Sequence, residues 1–533
     1  GGDNSEQIKS VAATSDGGYI VGGYFSTSID LENDVSLTSE GDGDGMIIKY
    51  DSKGKVEWAR GIYGADGNDG INSVAELRDG SYIVGGYFCS SSISIESEKN
   101  VLYISNNSYK YDNRADGLII KYNSEGKAEW AKQIGAENND RVETVLSTRD
   151  GGYIVGGYFS SQNILELGNG VRLIIRGYND GMVIKYDSEG VAEWAQVIGG
   201  RKGNEYVESV TETDDGGYIV GGYFTSDSII LENEMGLTKN GLEDGMLIKY
   251  NSEGKAEWAQ AIGGTDGDRL NSVAATSDGG CIVGGEFYSS SIDLENDVIL
   301  TNKVSLDGML IKFDKVELPD VEFARAQGIG GTEIDEINSV AETKDGGYIV
   351  GGYFTNRIDL ENGVSLTGKG DYDGMVIKYD SDENVEWAQV IVGIASDSVQ
   401  SVSETKDGGY IVGGFFESSS IDLGDGINLT NKSFDGSSDG MLIKYNSKGE
   451  VEWTQVIGGT DSDSVQSITE SRDGGYIVGG YFTDSIDLGN GVSLTGKGDY
   501  DGMVIKYDSE GNAKWIQGIG GTYIDSVQSV SDT

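Results

Sequence analysis

The segment DGGYIVGGYF, residues 345–354, joins a polar turn to a run that is apolar on both sides of an extended chain. Tyr348 and Val350 would alternate along a strand with Ile349 and Tyr353, so neither side of the strand is polar. A sheet with one solvated face would alternate apolar with polar residues instead. The pattern therefore predicts a short strand that is covered on both faces.

The same ten residues return with small changes along the whole chain. Their first aspartates are Asp16, Asp79, Asp150, Asp215, Asp278, Asp345, Asp407 and Asp473, spaced by 63, 71, 65, 63, 67, 62 and 66 residues. No helical periodicity interrupts this repeat. A period of this length is typical of an array or a closed ring of small structural units.

Copy six shows the elements that each copy predicts, separated by turns of Gly, Asn and Asp. We place strand a at Ile337–Thr343, strand b at Tyr348–Phe354, strand c at Met375–Tyr379 and strand d at Val385–Ile391. Between strands b and c, IDLENGVSLT predicts a small hairpin that turns at Glu361-Asn362-Gly363. Gly351 and Gly352, in the middle of strand b, mark places where we expect the neighbouring sheet to come close.

We therefore predict an all-β fold, a closed eight-bladed β-propeller whose four-stranded blades carry an extra small hairpin between strands b and c. Residues 1–533 form one propeller domain in this prediction, with approximate blades at 6–68, 69–139, 140–204, 205–267, 268–334, 335–396, 397–462 and 463–524. Residues 525–533 begin a ninth strand a. A parallel β-helix is the alternative, although its coils are much shorter than this repeat.

The composition excludes several classes of function. The 89 Asp and Glu against 39 Lys and Arg give a formal net charge of −50, so we expect neither nucleic acid nor anionic membranes as partners. The chain has no His, which removes Ser-His-Asp and Cys-His catalysis and imidazole metal ligands. Cys89 and Cys281 stand far apart and are expected to be buried as small apolar residues. No apolar run reaches roughly 18 residues, so we expect no membrane insertion.

A lysine recurs in every strand c, and a glutamate precedes the aromatic residue of strand d in seven copies. The turn between strands c and d would place Lys378 opposite Glu386, which predicts a cross-strand ion pair worth about 0.2–1 kcal/mol. Copy eight has Lys514 at the glutamate position, so the pair is dispensable there.

Two groups of acids are candidate metal ligands. One acid precedes strand a in every copy: Glu6, Asp69, Asp140, Glu205, Asp268, Asp335, Asp397 and Asp463. If strand a is innermost, these carboxylates would surround the axial opening and concentrate Ca²⁺, or each would accept hydrogen bonds from nearby backbone N–H groups. Asp42 and Asp44 in EGDGDG have the alternation of a calcium loop, but Ile48 stands where such loops carry a further acid. Apart from Ca²⁺, no cofactor is indicated.

Copy eight carries a family resemblance. DGGYIVGGYF (473–482), DGMVIKYDSEG (501–511) and KWIQGIGG (514–521) resemble the bacterial β-propeller repeat found in tandem in large surface and secreted proteins. The resemblance implies an extracellular or cell-surface display module and supplies no catalytic residues.

A second resemblance concerns the architecture. KYNSEGKAEWAQAIGG (249–264) is similar to the tryptophan-docking motif of eight-bladed quinoprotein dehydrogenases, in which the Trp packs between blades. The corresponding residues here are Trp58, Trp130, Trp194, Trp258, Trp387, Trp453 and Trp515, with Phe323 in copy five. The chain lacks the vicinal cysteine pair of those enzymes, so their activity is not expected.

We expect a non-enzymatic, monomeric binding or scaffold module, extracellular or on the cell surface, that contacts a protein or a glycan through loops on one face. The alternatives are a carboxylate-based glycan hydrolase or lyase at the axial face, and a pure structural spacer. Copy two inserts Ser90–Ala115 between strands b and c, and copy five has Cys281, Glu286 and an altered connection near Pro319. The copy-two insertion is the first place where we expect specificity.

Overall fold

In a computed structural model, the four main strands of each copy form an antiparallel sheet in the order a, b, c, d. Strands a of successive blades contact one another, so they lie around the axis and strands d lie outside. The structure describes residues 6–531 except 32–34, 98–100, 107–113, 136–137, 161–163, 232–234, 277–278, 295–298, 303–305, 314–322, 330–333, 361–362, 383, 425, 434–435, 472, 490, 498–499, 520–525 and 528–529. The predicted all-β, eight-bladed propeller is confirmed.

The main strands have nearly constant lengths. Strands a are Glu6–Ala13, Asp69–Glu76, Arg141–Ser147, Glu205–Glu212, Asp268–Ala275, Glu336–Glu342, Asp397–Glu404 and Ser464–Glu470. Strands b are Tyr19–Phe25, Tyr82–Phe88, Tyr153–Phe159, Tyr218–Phe224, Cys281–Phe287, Tyr348–Phe354, Tyr410–Phe416 and Tyr476–Phe482. Strands c are Asp44–Tyr50, Asp116–Tyr122, Asp180–Tyr186, Asp244–Tyr250, Asp307–Phe313, Asp373–Tyr379, Asp439–Tyr445 and Asp501–Tyr507. Strands d are Val56–Gly64, Ala128–Ile134, Ala192–Ile198, Ala256–Ile262, Phe323–Ile329, Val385–Ile391, Val451–Ile457 and Ala513–Ile519.

A two-stranded hairpin joins strands b and c in every blade, as predicted. The hairpin strands are Ser28–Leu31 with Val35–Thr38, Ser92–Glu96 with Val101–Ser105, Ile164–Gly168 with Val171–Ile174, Ser228–Ile230 with Gly236–Thr238, Ser291–Asp293 with Ile299–Thr301, Arg357–Asp359 with Ser365–Thr367, Ser420–Asp422 with Asn428–Thr430, and Ser485–Asp487 with Ser493–Thr495. The predicted turn residues Glu361 and Asn362, Pro319 and the Phe323 side chain lie outside the described part of the chain. Where the structure describes the chain, no helix is long and apolar enough to cross a membrane.

The two glycines in the middle of strand b have different roles. A Cβ atom on Gly351 would lie 2.5 Å from side-chain carbons of Val399 and Val402, in strand a of the next blade. A Cβ atom on Gly352 would lie 2.0 Å from the carbonyl oxygen of Glu336, in strand a of the same blade, where the a–b pairing contains a β-bulge. The prediction of a close neighbouring sheet is therefore confirmed for Gly351 and wrong for Gly352, whose constraint comes from the bulge.

The aspartate of the repeated motif neutralises a buried lysine. Lys378 is fully buried, and its Nζ contacts Asp345 at 2.9 Å and Glu386 at 3.1 Å. The predicted Lys378–Glu386 pair is confirmed, and the motif aspartate is a second partner that the sequence pattern did not reveal. The same lysine–aspartate pair is Lys49–Asp16, Lys121–Asp79, Lys185–Asp150, Lys249–Asp215, Lys444–Asp407 and Lys506–Asp473 in six other blades. A buried ammonium group requires such partners, because its desolvation is otherwise costly.

In the described part of the chain, six of the junctions between blades also contain a docked tryptophan. A Cβ atom on Gly254, in the c–d turn of blade four, would lie 2.3 Å from the ring of Trp194 in blade three. The Trp194 Nε1 donates to the Ser252 carbonyl oxygen at 3.0 Å. The same ring-on-glycine contact is made by Trp58 on Gly126, Trp130 on Gly190, Trp387 on Gly449, Trp453 on Gly511 and Trp515 on Gly54. The inter-blade position of these tryptophans is confirmed, and the Trp515 contact joins blade eight to blade one.

The beginning of a ninth copy takes part in closing the ring. Val530–Ser531 forms a short strand that pairs in parallel with Val11 and Ala12 of strand a in blade one. The Val530 N–H donates to the Ser467 hydroxyl of blade eight at 2.9 Å. An equivalent bond, such as that from the Val402 N–H to the Ser339 hydroxyl, links strands a of successive blades. The last strand therefore occupies the position on blade eight that each strand a takes on the preceding blade.

The two partners of the buried lysine should differ in their contribution to stability. Asp407→Ala removes the Lys444 partner that also holds the a–b turn through the Gly409 N–H, so we expect a loss of about 2 kcal/mol. The side chains of Asp407 and Glu452 are both largely exposed, at 63% and 44%, so the difference comes from the turn. Glu452→Ala leaves the a–b turn intact and should cost less than about 1 kcal/mol. Guanidinium unfolding followed by tryptophan fluorescence measures both, and equal losses would contradict the assignment of Asp407 as the main partner.

Tryptophan docking can be separated from the backbone requirement for glycine. Gly254 has a φ of 76° and faces Trp194, whereas Gly216 in the same blade has a φ of 78° and nothing within 4 Å of its Cβ position. Both Gly→Ala changes strain the backbone, but only Gly254→Ala also displaces the ring. We expect Gly254→Ala to cost about 1–3 kcal/mol more than Gly216→Ala in the same unfolding measurement. If the two variants unfold together, the tryptophan contact contributes nothing.

Candidate binding site on the upper face

The predicted site residues lie on one face of the ring, which we call the upper face, where strands a and c begin and strands b and d end. The d–a and b–c connections meet there. The Asp69 N–H donates to the Gly43 carbonyl oxygen at 2.9 Å, and the Cys89 N–H donates to the Asn68 carbonyl oxygen at 3.0 Å. These bonds position the acids at the beginning of each strand a.

The acids that precede strand a are buried at the junctions between blades. Those with described side chains are Asp69, Asp140, Glu205, Asp268, Asp335, Asp397 and Asp463, each at most 1% exposed. Asp463 shows the pattern: one oxygen accepts from the Gly459 N–H at 2.8 Å and the other from the Thr483 N–H at 2.9 Å. The side chain of Glu6 lies outside the described residues. These acids present almost no surface to the axial opening and instead tie the d–a loop to the end of strand b.

A second buried acid faces each of these positions. It is the first residue of strand c: Asp44, Asp116, Asp180, Asp244, Asp307, Asp373, Asp439 and Asp501, none more than 3% exposed. A Cβ atom on Gly458 would lie 2.3 Å from Asp439 Oδ1 and 2.9 Å from Asp463 Oδ2, so the two carboxyl groups approach the same point. The sequence contains a signal for this second acid, because the Asp of DGM or DGL recurs in all copies. An aspartate before a glycine, however, resembles an ordinary turn residue.

Burial shifts these carboxyl groups toward their neutral form. It raises the pKa of Asp463 to about 8 and the pKa values of Asp69, Asp397 and Glu205 to about 7. The facing strand c acid, Asp439 in the case of Asp463, adds to the shift, since two nearby carboxylates disfavour double ionisation. Hydrogen bonds from backbone N–H groups lower these pKa values, but by less than burial raises them. Near neutral pH the pair of Asp463 therefore retains a proton, and Asp69, Asp397 and Glu205 are in the middle of their titration.

The two acids of EGDGDG point into different surroundings. Asp42 is exposed on the upper face, whereas Asp44 is buried and accepts from the N–H groups of Gly64 and Glu40, both at 2.7 Å. In the described part of the chain, no three acidic or cysteine side chains are grouped closely enough to hold a metal ion. Calcium binding stays a prediction for both groups of acids, and hydrogen bonding accounts for the buried ones.

A pocket of about 900 Å³ opens on the upper face between blades one, two and three. The beginnings of strands a contribute Gln7, Lys9, Asn72, Arg141 and Glu143, and the ends of strands b contribute Tyr24 and Tyr87. Because strands a are innermost, the pocket lies beside the axis. The copy-two insertion is elsewhere, since its described hairpin pairs with strand d of blade one through Ile62 and Ile95 on the outside of the ring.

The pocket forms at a strand a position whose residue varies among the copies. Gly70 stands at the strand a position that carries Gln7 in copy one and Arg141 in copy three, so no side chain fills the space between them. A Cβ atom on Gly70 would lie 3.2 Å from the ring of Tyr87, and the Arg141 guanidinium lies 4.0 Å over the same ring. The missing side chain therefore opens a space lined by an aromatic ring and a cation.

The charges in the pocket are partly compensated. Burial lowers the pKa of Lys9, and the nearby Arg141 lowers it further, while Glu143 opposes the shift. Burial raises the pKa of Glu143, and Arg141 and Lys9 oppose that shift. The Asn72 Nδ2 donates to Glu143 Oε2 at 3.0 Å. The pocket thus offers cations, amides, phenol rings and a partly buried carboxyl group, a set suited to binding a polar ligand.

No family model matches the chain. It is 24% identical over 367 residues to the regulatory protein FlaEY of Caulobacter vibrioides, covering 65% of this chain and 36% of the relative. It is 21% identical over 522 residues to the uncharacterized WD repeat-containing protein L264 of Acanthamoeba polyphaga mimivirus, covering 83% and 37%. The chain thus spans little more than a third of these relatives.

Among solved structures, Sqt1 from Chaetomium thermophilum matches with a TM-score of 0.40 and 10% sequence identity, covering 89% of this chain and 93% of that one. The chain is an eight-bladed β-propeller with WD-repeat proteins among those similar to it. Its function must be argued from its own residues.

The buried acid pairs predict that stability falls as pH rises. Unfolded carboxyl groups ionise near pH 4, whereas Asp463 in the folded protein holds its proton to about pH 8. The folded state therefore binds more protons between these values, so the free energy of unfolding should decrease from about pH 5 to about pH 8. Denaturant unfolding at a series of pH values measures the slope.

A matched pair of variants separates this effect from general charge repulsion. Asp463→Asn removes one buried titrating group, which faces Asp439 and Lys432, whereas Asp461→Asn removes an exposed charge from the same loop. We expect Asp463→Asn to have a shallower pH slope and Asp461→Asn to keep the natural one. Identical slopes in both variants would show that the buried pair does not titrate in this range.

Proposed function

We propose that this propeller is a non-enzymatic binding module whose ligand occupies the upper-face pocket of blades one to three. The observation that carries the proposal is the position of the pocket, where Gly70, at a strand a position that varies among the copies, leaves a gap between Gln7 and Arg141. Positions that repeat around the ring serve the fold in every blade, whereas a position that varies can serve one place only. Specificity on a rigid scaffold is expected at such a place.

The burial of the acids that precede strand a supports binding over hydrolysis. A glycan hydrolase at the axial face would need a pair of accessible carboxyl groups flanking the scissile bond. Asp69, which borders the pocket, is 1% exposed and accepts from Ser90 and from backbone N–H groups. The remaining pocket acids, Asp42 and Glu143, are better placed to accept hydrogen bonds from a ligand.

We further propose that the module works as a monomer outside the cell or on its surface, with a protein or a glycan as its partner. The resemblance of its repeats to those of secreted proteins supports the location, and the contact between Trp515 and Gly54 closes the ring within one chain. Light scattering of the purified ring and protease accessibility on intact cells test these two points. A stable dimer, or a chain protected inside intact cells, would contradict them.

The binding role can be tested with two equivalent tyrosines. Tyr87 lines the pocket in blade two, and Tyr353 occupies the same motif position in blade six. The labelled propeller is applied to arrays of glycans and purified extracellular proteins, and hits are quantified by calorimetry. We expect Tyr87→Ala to weaken binding by about 2- to 10-fold, because aromatic ring contacts contribute about 0.5–1.5 kcal/mol beyond their buried area, and Tyr353→Ala to leave it unchanged.

Recovery of the ligand decides between binding and turnover. Mass spectrometry should return the bound ligand intact after prolonged incubation. Cleavage of the ligand would support the hydrolase or lyase alternative. Absence of saturable binding across the arrays, or binding insensitive to Tyr87→Ala, would also overturn the proposal, the former in favour of a spacer.

A further inference from the structure

Arg141 differs from the equivalent arginine of blade five in its charge partner. Each follows a buried acid at the beginning of strand a and lies over a tyrosine ring, Arg141 over Tyr87 at 4.0 Å and Arg269 over Tyr223 at 4.7 Å. Arg269 is held by Glu243, with Nη2 3.3 Å from Oε2 and an ion pair between Nε and Oε1. Its guanidinium is therefore neutralised within the protein.

The corresponding partner of Arg141 is missing. Glu243 precedes the first residue of strand c in blade four, and the residue at that position in blade two is Ala115. Among the described residues, no carboxylate oxygen lies within 4.0 Å of the Arg141 guanidinium. In a chain with a formal net charge of −50, an arginine without a carboxylate partner beside a pocket is directed toward an anionic group of a ligand.

Lys9 is a second cation at a strand a position that carries no cation in the other copies. Its equivalents in the other copies are Asn72, Glu143, Glu208, Asn271, Asn338, Gln400 and Gln466, which are all amides or acids. Lys9 and Arg141 both line the pocket and are close enough to influence each other's charge. The first three blades thus place two cations beside the axis where the equivalent positions of other copies are neutral or acidic, apart from the neutralised Arg269.

The rest of the lining favours a ligand rich in hydroxyl groups. Gln7, Asn68 and Asn72 bring amide groups, Tyr24 and Tyr87 bring aromatic rings, and the volume of about 900 Å³ suits a small oligosaccharide unit. Asp42 and Glu143 can accept from hydroxyl groups, and they disfavour densely charged anions such as phosphate. A ligand with one carboxylate on a polyhydroxyl frame satisfies both the arginine and the amides.

We propose that the pocket binds a carboxylate-bearing sugar, a uronic acid unit of an oligosaccharide, and that Arg141 pairs with its carboxylate. This inference rests on the proposed binding function and names the ligand class of the same pocket. A planar guanidinium held over an aromatic ring keeps its outer N–H edge free to form two parallel hydrogen bonds with a carboxylate.

Calorimetry with matched ligands tests the proposal. The probes are oligosaccharides of galacturonic acid and of glucuronic acid, each beside its carboxyl-reduced, neutral counterpart. We expect at least one acidic oligosaccharide to bind about 10-fold or more tightly than its reduced form, since hydrogen bonds to charged groups contribute that much or more. Equal binding of the two forms, or binding of neither, would overturn the proposal.

Variants then assign the effect to Arg141. Arg141→Gln should weaken binding of the acidic sugar by about 10- to 100-fold and weaken binding of the reduced sugar by a much smaller factor. Arg269→Gln, at the equivalent and already neutralised position, should change neither. Unfolding midpoints of both variants establish that they are folded, and Arg141→Lys should restore part of the affinity without the bidentate geometry.

The outcomes separate this inference from the proposed function. If a neutral sugar or a purified protein binds in a Tyr87-dependent but Arg141-independent way, the binding function stands and the ligand class is wrong. An acidic peptide that competes as well as the uronic acid would also refute the sugar assignment. If nothing binds in a Tyr87-dependent way, both proposals fail.

Discussion

The close approach of each blade to the next, through a residue without a side chain, is the constraint on which the ring depends. A Cβ atom on Gly22 would lie 2.5 Å from Val74 and 2.6 Å from Ile71, in strand a of the following blade. Any side chain there would push strand a away from strand b of the neighbouring blade, and the tryptophan contact at the same junction would lose its alignment. Copy five is the loosest case, since the equivalent distance from Gly284 is 3.3 Å, to Val340.

The regular part of this architecture could be predicted because it depends on local pattern. In copy six, strands b and d begin and end where the alternation of apolar residues placed them, and strand a begins one residue early. Strand c begins at Asp373 rather than Met375, because Asp and Gly are disfavoured in strands and resemble a turn. A buried aspartate at a strand end is intelligible only from the donors and the second acid around it, which come from distant parts of the chain.

The same limit explains why the functions of individual acids and glycines were harder to predict. Asp345 was assigned to a turn because its sequence neighbours are glycines, yet its partner Lys378 lies one strand further out in the sheet. Gly352 was assigned to a blade contact because it adjoins Gly351, yet it faces a bulge in its own blade. In both cases the sequence pattern placed the residue correctly in the repeat, but it did not show which neighbour the residue faces.

The candidate site was harder still to predict from the sequence pattern. Its defining residue, Gly70, contributes by having no side chain, and glycine is common in this chain. Its cations come from blades one and three. Arg141 differs from Arg269 because Ala115 stands at the position where blade four supplies the carboxylate of Glu243. The repeat reveals the residues that all copies share, whereas the gap at Gly70 and the two cations of the pocket come from positions that vary among the copies.

The buried acid pairs also change how the charge of this protein should be understood. The formal value of −50 counts every carboxyl group as ionised, but Asp69, Asp397, Glu205 and Asp463 have pKa values of about 7 or 8. Proteins usually owe their buffering near neutrality to histidine, which this chain does not contain. Here the buried carboxyl pairs at the junctions between blades take over that role. The protein therefore takes up and releases protons across the neutral range, although its composition suggests a constant charge there.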